Sequence, residues 1–113
     1  MYSEILNSKI RICYKKDFPK NGRLIHKVND LVILILKKRS KFFAFENKCP
    51  HVGAPMTNSI LTPNSVICDW HGWEFSLPNG ECLNLEEEPC SLNIFPVYLN
   101  EKDELILEIE KVK

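Results

Sequence analysis

The sequence predicts an all-β, antiparallel chain with a loop-rich insertion at about residues 47–83. Three observations carry this. Apolar residues recur with a period of two at Ile10, Ile12 and Tyr14, and again at Leu105, Leu107 and Ile109, as in strands with one buried face. Leu31–Leu36 is an unbroken aliphatic run of strand length. Residues that tolerate turns, such as Asn21-Gly22 and Asn29-Asp30, punctuate the chain at short intervals.

Ile10–Tyr14 is the first expected strand. Asp17-Phe18-Pro19-Lys20-Asn21-Gly22 is a turn, because Pro fixes φ and Asn-Gly accepts positive φ. Arg23–Val28 is a second strand, and Asn29-Asp30 a tight turn. Leu31–Leu36 reads as a central strand covered on both faces, although periodicity alone does not separate it from a buried helix. Lys37–Lys41 is expected to be a basic turn, and Phe42–Phe45 a strand running into Cys49. That places the basic turn roughly 20 Å from Cys49, since a strand rises ~3.3 Å per residue. A basic turn at that distance reads more simply as solvated than as a docking patch. Ser76–Gly80 carries another turn signal. Ile94–Leu99 and Glu104–Val112 read as a closing hairpin around Asn100–Asp103.

The 113 residues predict one domain, 1–113. A domain of this size buries roughly 65% of the surface its unfolded chain exposes. Fifteen basic and fifteen acidic residues cancel, so nothing points to a nucleic-acid partner, which calls for a basic surplus. The opening MYSEILNSKIRI lacks the order of a secretory leader, and the longest apolar run is far too short to span a bilayer. A cytoplasmic protein without a membrane partner is the expectation. In such a compartment Cys13, Cys82 and Cys90, which lie outside the motifs below, are expected as free thiols.

The chemistry concentrates between Cys49 and Phe75. Cys49 and His51 form a C-x-H motif, and Cys68, His71 and Gly72 form C-x-x-H-G. Thiolate ligands of this kind suit iron–sulfur clusters, zinc and Cu(I). Two ligands one residue apart do not easily share a tetrahedral ion with a second such pair, but they can face two metal atoms. A structural zinc site remains the alternative: C-x-x-H suits it, whereas C-x-H is tighter than the usual zinc spacing.

The pattern C-x-H, a linker of 16 residues (Val52–Ile67), then C-x-x-H-G closely resembles the Rieske family. The Phe18-Pro19…Gly22 turn, Phe42–Phe45 ahead of the first Cys, and Phe95-Pro96-Val97 are similar to Rieske ferredoxins. The resemblance implies an antiparallel β-sandwich with a cluster-binding subdomain. It implies one [2Fe–2S] cluster per chain, with Cys49 and Cys68 on one iron and His51 and His71 on the other. It implies a one-electron carrier between a flavin-dependent reductase and a terminal oxygenase or other redox enzyme. An electron-transfer small subunit of a larger enzyme, such as nitrite reductase, is the variant of that reading. The resemblance also places a third, proline-containing loop over the cluster, matched to Pro78 and Gly80.

Where high-potential members carry a loop disulfide, this chain has Ala54 and Trp70. Where they carry Ser and Tyr hydroxyls, it has Trp73 and Phe75, so a potential at the low end of the Rieske range is expected. His-Gly-Trp followed by Phe75 is closer to the Rieske domain of ring-hydroxylating oxygenases than to a typical ferredoxin. With three His in the chain, only His26 is left beside the cluster ligands. A 2-His-1-carboxylate iron site is therefore out of reach, and a carrier without its own substrate site is expected.

Overall fold

The computed structural model describes residues 5–50, 53–69, 72–84 and 91–112. Ten strands occur among them: β1 (Ile5–Tyr14), β2 (Arg23–Val28), β3 (Leu31–Lys38), β4 (Lys41–Glu46), β5 (Ile60–Leu61), β6 (Ser65–Ile67), β7 (Glu74–Ser76), β8 (Ile94–Phe95), β9 (Val97–Leu99) and β10 (Glu104–Val112). Every pairing among them is antiparallel. They form three sheets, ordered β1-β10-β9, β2-β3-β4-β8 and β5-β6-β7. No helix among the described residues is long and apolar enough to cross a membrane.

β3 divides the molecule. Ile33, Leu34, Ile35 and Leu36 have no exposed surface, which is the two-sided burial expected of a central strand. Successive side chains of a strand point to opposite faces. Ile33 and Ile35 accordingly join Phe18, Ala44, Leu105, Leu107 and Ile109 in one core. Leu34 and Leu36 join Phe45, Met56, Val66, Phe75 and both Cys49 and Cys68 in another. The first core closes the sandwich, and the second seats the inserted subdomain. Burying one such aliphatic side chain contributes about 1.5–3 kcal/mol.

Several elements differ from expectation. β1 begins at Ile5, because β10 is long enough to template it from Val112 back to Glu104. The expected basic turn shrinks to Arg39-Ser40, since Lys38 pairs with Lys41 and both belong to strands. The expected strand Ile94–Leu99 is two strands in two sheets. β8 pairs with β4, whereas β9 pairs with β10. The break falls at Pro96, which has no N–H to donate to a ladder. Its carbonyl still accepts from the Glu108 amide at 3.0 Å.

Candidate metal centre

Both cysteines open hairpin loops of one design. The Cys49 amide donates to the Ala54 carbonyl at 2.7 Å, and the Gly53 amide donates back to the Cys49 carbonyl at 2.7 Å. In the second loop the Cys68 amide donates to the Trp73 carbonyl at 2.7 Å, and the Gly72 amide to the Cys68 carbonyl at 2.9 Å. Each loop ends on a glycine in the left-handed region, with φ +76° at Gly53 and +72° at Gly72. A side chain is strained there, which is why glycine stands four residues after each cysteine. The amides of both glycines and both cysteines are occupied in closing the loops. Any N–H aimed at sulfur must therefore come from elsewhere.

By sequence position the loops contain His51 and His71. Those two residues lie outside the described residues, as do Trp70, the acidic stretch 86–88 and Cys90. Cys49 and Cys68 are each 0% exposed and belong to the same apolar core. The donors the structure does place are thus two thiols, both fully buried in one core on matching loops. That is what a cluster held on one side by cysteines requires, so the residues present fit the group. Among the described residues no three His, Cys, Asp or Glu side chains converge.

Two polar residues that sequence reasoning missed brace the first loop. Asn47 Oδ1 accepts from the Met56 amide at 2.7 Å, while Asn47 Nδ2 donates to Thr57 Oγ1 at 2.8 Å. Arg23, on β2, donates through Nη1 to the Thr57 carbonyl at 2.6 Å and to Ser59 Oγ at 3.3 Å, and through Nη2 to the Ser59 carbonyl. Asn47 stood two residues before a motif cysteine and was findable. Arg23 is 36 positions from Ser59, and no local pattern links them.

The third expected loop is corrected. Ser76–Glu81 repeats the same closure, with Ser76 donating to Glu81 and Gly80 to Ser76. However, Ser65 pairs with Ser76 and Ile67 with Glu74. Pro78 therefore lies at the end of the β6–β7 hairpin opposite the Cys68 loop, beside Pro63 and Asn64. Gly80 serves packing there: a Cβ would stand 2.8 Å from the Leu92 carbonyl oxygen. His26 sits in β2 opposite Ile33, as a scaffold residue. Trp73 is partly buried against the core that holds the cysteines.

The family model of the Rieske [2Fe–2S] domain matches residues 8–98. Apoptosis-inducing factor 3 of Mus musculus is 33% identical over 103 residues, covering 88% of this chain. The chain spans only 16% of that relative's length. A Mycobacterium tuberculosis chain assigned as the small subunit of an NADH-dependent nitrite reductase superposes with a TM-score of 0.77 at 16% identity, covering 92% of this chain and 96% of that one. A chain from the complex of reduced oxygenase and oxidised ferredoxin in carbazole 1,9a-dioxygenase superposes with a TM-score of 0.72 at 20% identity, covering 88% and 91%. These two likenesses establish the fold. With the domain model matched over most of its length, and with two buried cysteines on twin glycine-closed loops, the chain belongs to the Rieske [2Fe–2S] family.

Proposed function

We propose that this chain is a single-domain, one-electron carrier whose [2Fe–2S] cluster is held by Cys49 and Cys68 on one iron and His51 and His71 on the other. The observation that carries the ligand assignment is the pair of equivalent Cys…Gly hairpins in one apolar core. When bound, the cluster supplies reversible one-electron chemistry, and every other task falls to the protein. Cys49 and Cys68 bind as thiolates. Leu34, Phe45, Met56, Val66 and Phe75 share their buried core, which keeps water from the cysteine side. Two neutral imidazoles in place of two thiolates leave the centre less negative, so an added electron costs less than in an all-cysteine site.

Redox partners would dock near the second loop. Ile60 is 56% exposed and pairs with Ile67, next to Cys68. Leu83 is 54% exposed, and its amide donates to the Glu74 carbonyl, next to Trp73. The two most exposed large apolar side chains among the described residues thus stand on either side of this loop. A flavin-dependent reductase upstream and a terminal oxygenase downstream are the partners of this reading. The oxygenase–ferredoxin complex supports it by fold alone. The nitrite reductase likeness supports the second reading, a small subunit of a larger oxidoreductase, on the same basis.

The test is anaerobic reconstitution followed by iron and sulfide analysis and visible spectroscopy. Equimolar iron and acid-labile sulfide, with bands that bleach on reduction, are expected. A colourless protein holding zinc overturns the assignment. Exchange of His71→Cys or His51→Ala is expected to abolish or grossly change the spectrum, and an unchanged spectrum refutes histidine ligation. Co-purification from the native host separates the two partner readings.

A further inference from the structure

Away from the cysteines, the fold gathers a basic concavity that the linear sequence disperses. Lys15, Lys16, Lys20, Lys37, Arg39 and Lys102 line one cavity of about 780 Å³. They come from the segment after β1, the Pro19–Gly22 turn, the β3–β4 hairpin and the β9–β10 turn. Backbone bonds lock these segments together: the Lys15 amide donates to the Asp103 carbonyl at 2.8 Å, and the Lys37 amide to the Gly22 carbonyl at 2.8 Å. Gly22, at φ +81°, lets the turn approach this closely, since a Cβ would stand 3.2 Å from the Lys37 carbonyl oxygen.

The charge there is only partly offset. Asp103 is the one acid in the lining. Among the described residues the ion pair is Arg11 with Glu104, and it involves none of the six cations. Lys16 and Lys37 lie 5.9 Å from the Tyr14 and Phe42 rings, contacts that leave their charge intact. Six like charges around one concavity repel one another, and a multivalent anion relieves that repulsion. The volume lies within the range of small-ligand sites and exceeds what a single phosphate fills. Phe18 and Tyr14 add aromatic surface to the wall.

We infer that this cavity is a binding site for a soluble polyphosphate anion, of the class of inorganic tripolyphosphate or a nucleoside diphosphate. It is separate from the electron-transfer face. Arg39 and Cys49 stand at opposite ends of β4, roughly 20 Å apart at ~3.3 Å per residue. Occupancy at this end leaves the loop ends free for a redox partner. The basic segment 37–41, read from sequence as merely solvated, contributes Lys37 and Arg39 to the site.

Isothermal titration of the cluster-reconstituted chain with tripolyphosphate, and separately with ADP, tests this at low and at physiological ionic strength. Saturable 1:1 binding that weakens with salt is expected. The double exchange Arg39→Gln with Lys102→Gln should weaken it by about tenfold. Lys27→Gln, on an exposed strand position outside the cavity, should leave it unchanged. The visible spectrum verifies the fold of each variant. Absent saturable binding at low salt, or equal losses in the cavity and control variants, overturns the site. Binding to anionic phospholipid vesicles without binding of free tripolyphosphate overturns it as well.

Discussion

At Gly80 a single methyl group is enough to disturb the packing. A Cβ would meet the Leu92 carbonyl oxygen at 2.8 Å and Ile94 Cγ2 at 3.1 Å, on a backbone at φ +76°. At Gly72 the backbone is just as left-handed, yet among the described residues beyond its chain neighbours no atom lies within 4 Å. Gly80→Ala should therefore cost about 2–4 kcal/mol, combining strain with a backbone clash, and Gly72→Ala only about 1 kcal/mol from strain. Urea unfolding of the two holoproteins measures this, and equal midpoints would contradict it. Cys13 offers a second single-residue test. Burial first, then the Asp17 carboxylate, push its thiol pKa above the ordinary 9.0, while Arg11 opposes them. The folded chain thus holds this proton more tightly than the unfolded chain. The associated stability is present below pH 9.0 and is lost as pH rises through the higher folded value. Alkylation of Cys13 near pH 9, with Cys82 and Cys90 replaced by serine, should run slower in the native than in the unfolded protein.

Among the elements, the inserted subdomain depends on β2 as much as on its own strands. Arg23 satisfies the Thr57 and Ser59 carbonyls and the hydroxyl of Ser59, which is 1% exposed. Exchange to Met removes the charged donor and leaves these part-buried acceptors without that partner. The expected cost is about 2–3 kcal/mol, with faster loss of iron to a chelator. A denaturation midpoint within error of the wild type would show that this brace is redundant. Such a brace was invisible in the sequence because it joins residues far apart in the chain. The β8–β9 switch was hidden for a related reason. Ile94, Phe95, Val97, Tyr98 and Leu99 are all strand formers, and only tertiary pairing reveals that Pro96 divides them between sheets. By contrast, Leu31–Leu36 and Leu105–Ile109 were legible, because burial on two faces and on one face leaves a direct mark on residue order.

For the molecule as a whole, the sequence disclosed the cysteine loops through their spacing, and left their environment to be supplied by the fold. That environment argues for a low redox potential. A cluster potential rises when hydrogen bonds to sulfur stabilise the reduced, more negative state. Among the hydroxyls of the subdomain, Ser65 Oγ spends its proton on Glu74, and Thr57 Oγ1 and Ser59 Oγ are turned toward Asn47 and Arg23, from which they accept. The amides of Cys49, Gly53, Cys68 and Gly72 are spent on loop closure. Phe75, fully buried in the cysteine core, has no hydroxyl to offer. The midpoint should therefore fall in the lower part of the Rieske range of about −150 to +300 mV, below zero. Phe75→Tyr should raise it by about 40 mV, since a hydrogen bond favouring the reduced state by about 1 kcal/mol is worth that in a one-electron couple. Spectroelectrochemical titration of both proteins reads the two quantities together. A clearly positive wild-type midpoint would mean that donors to sulfur exist beyond those whose commitments are accounted for above.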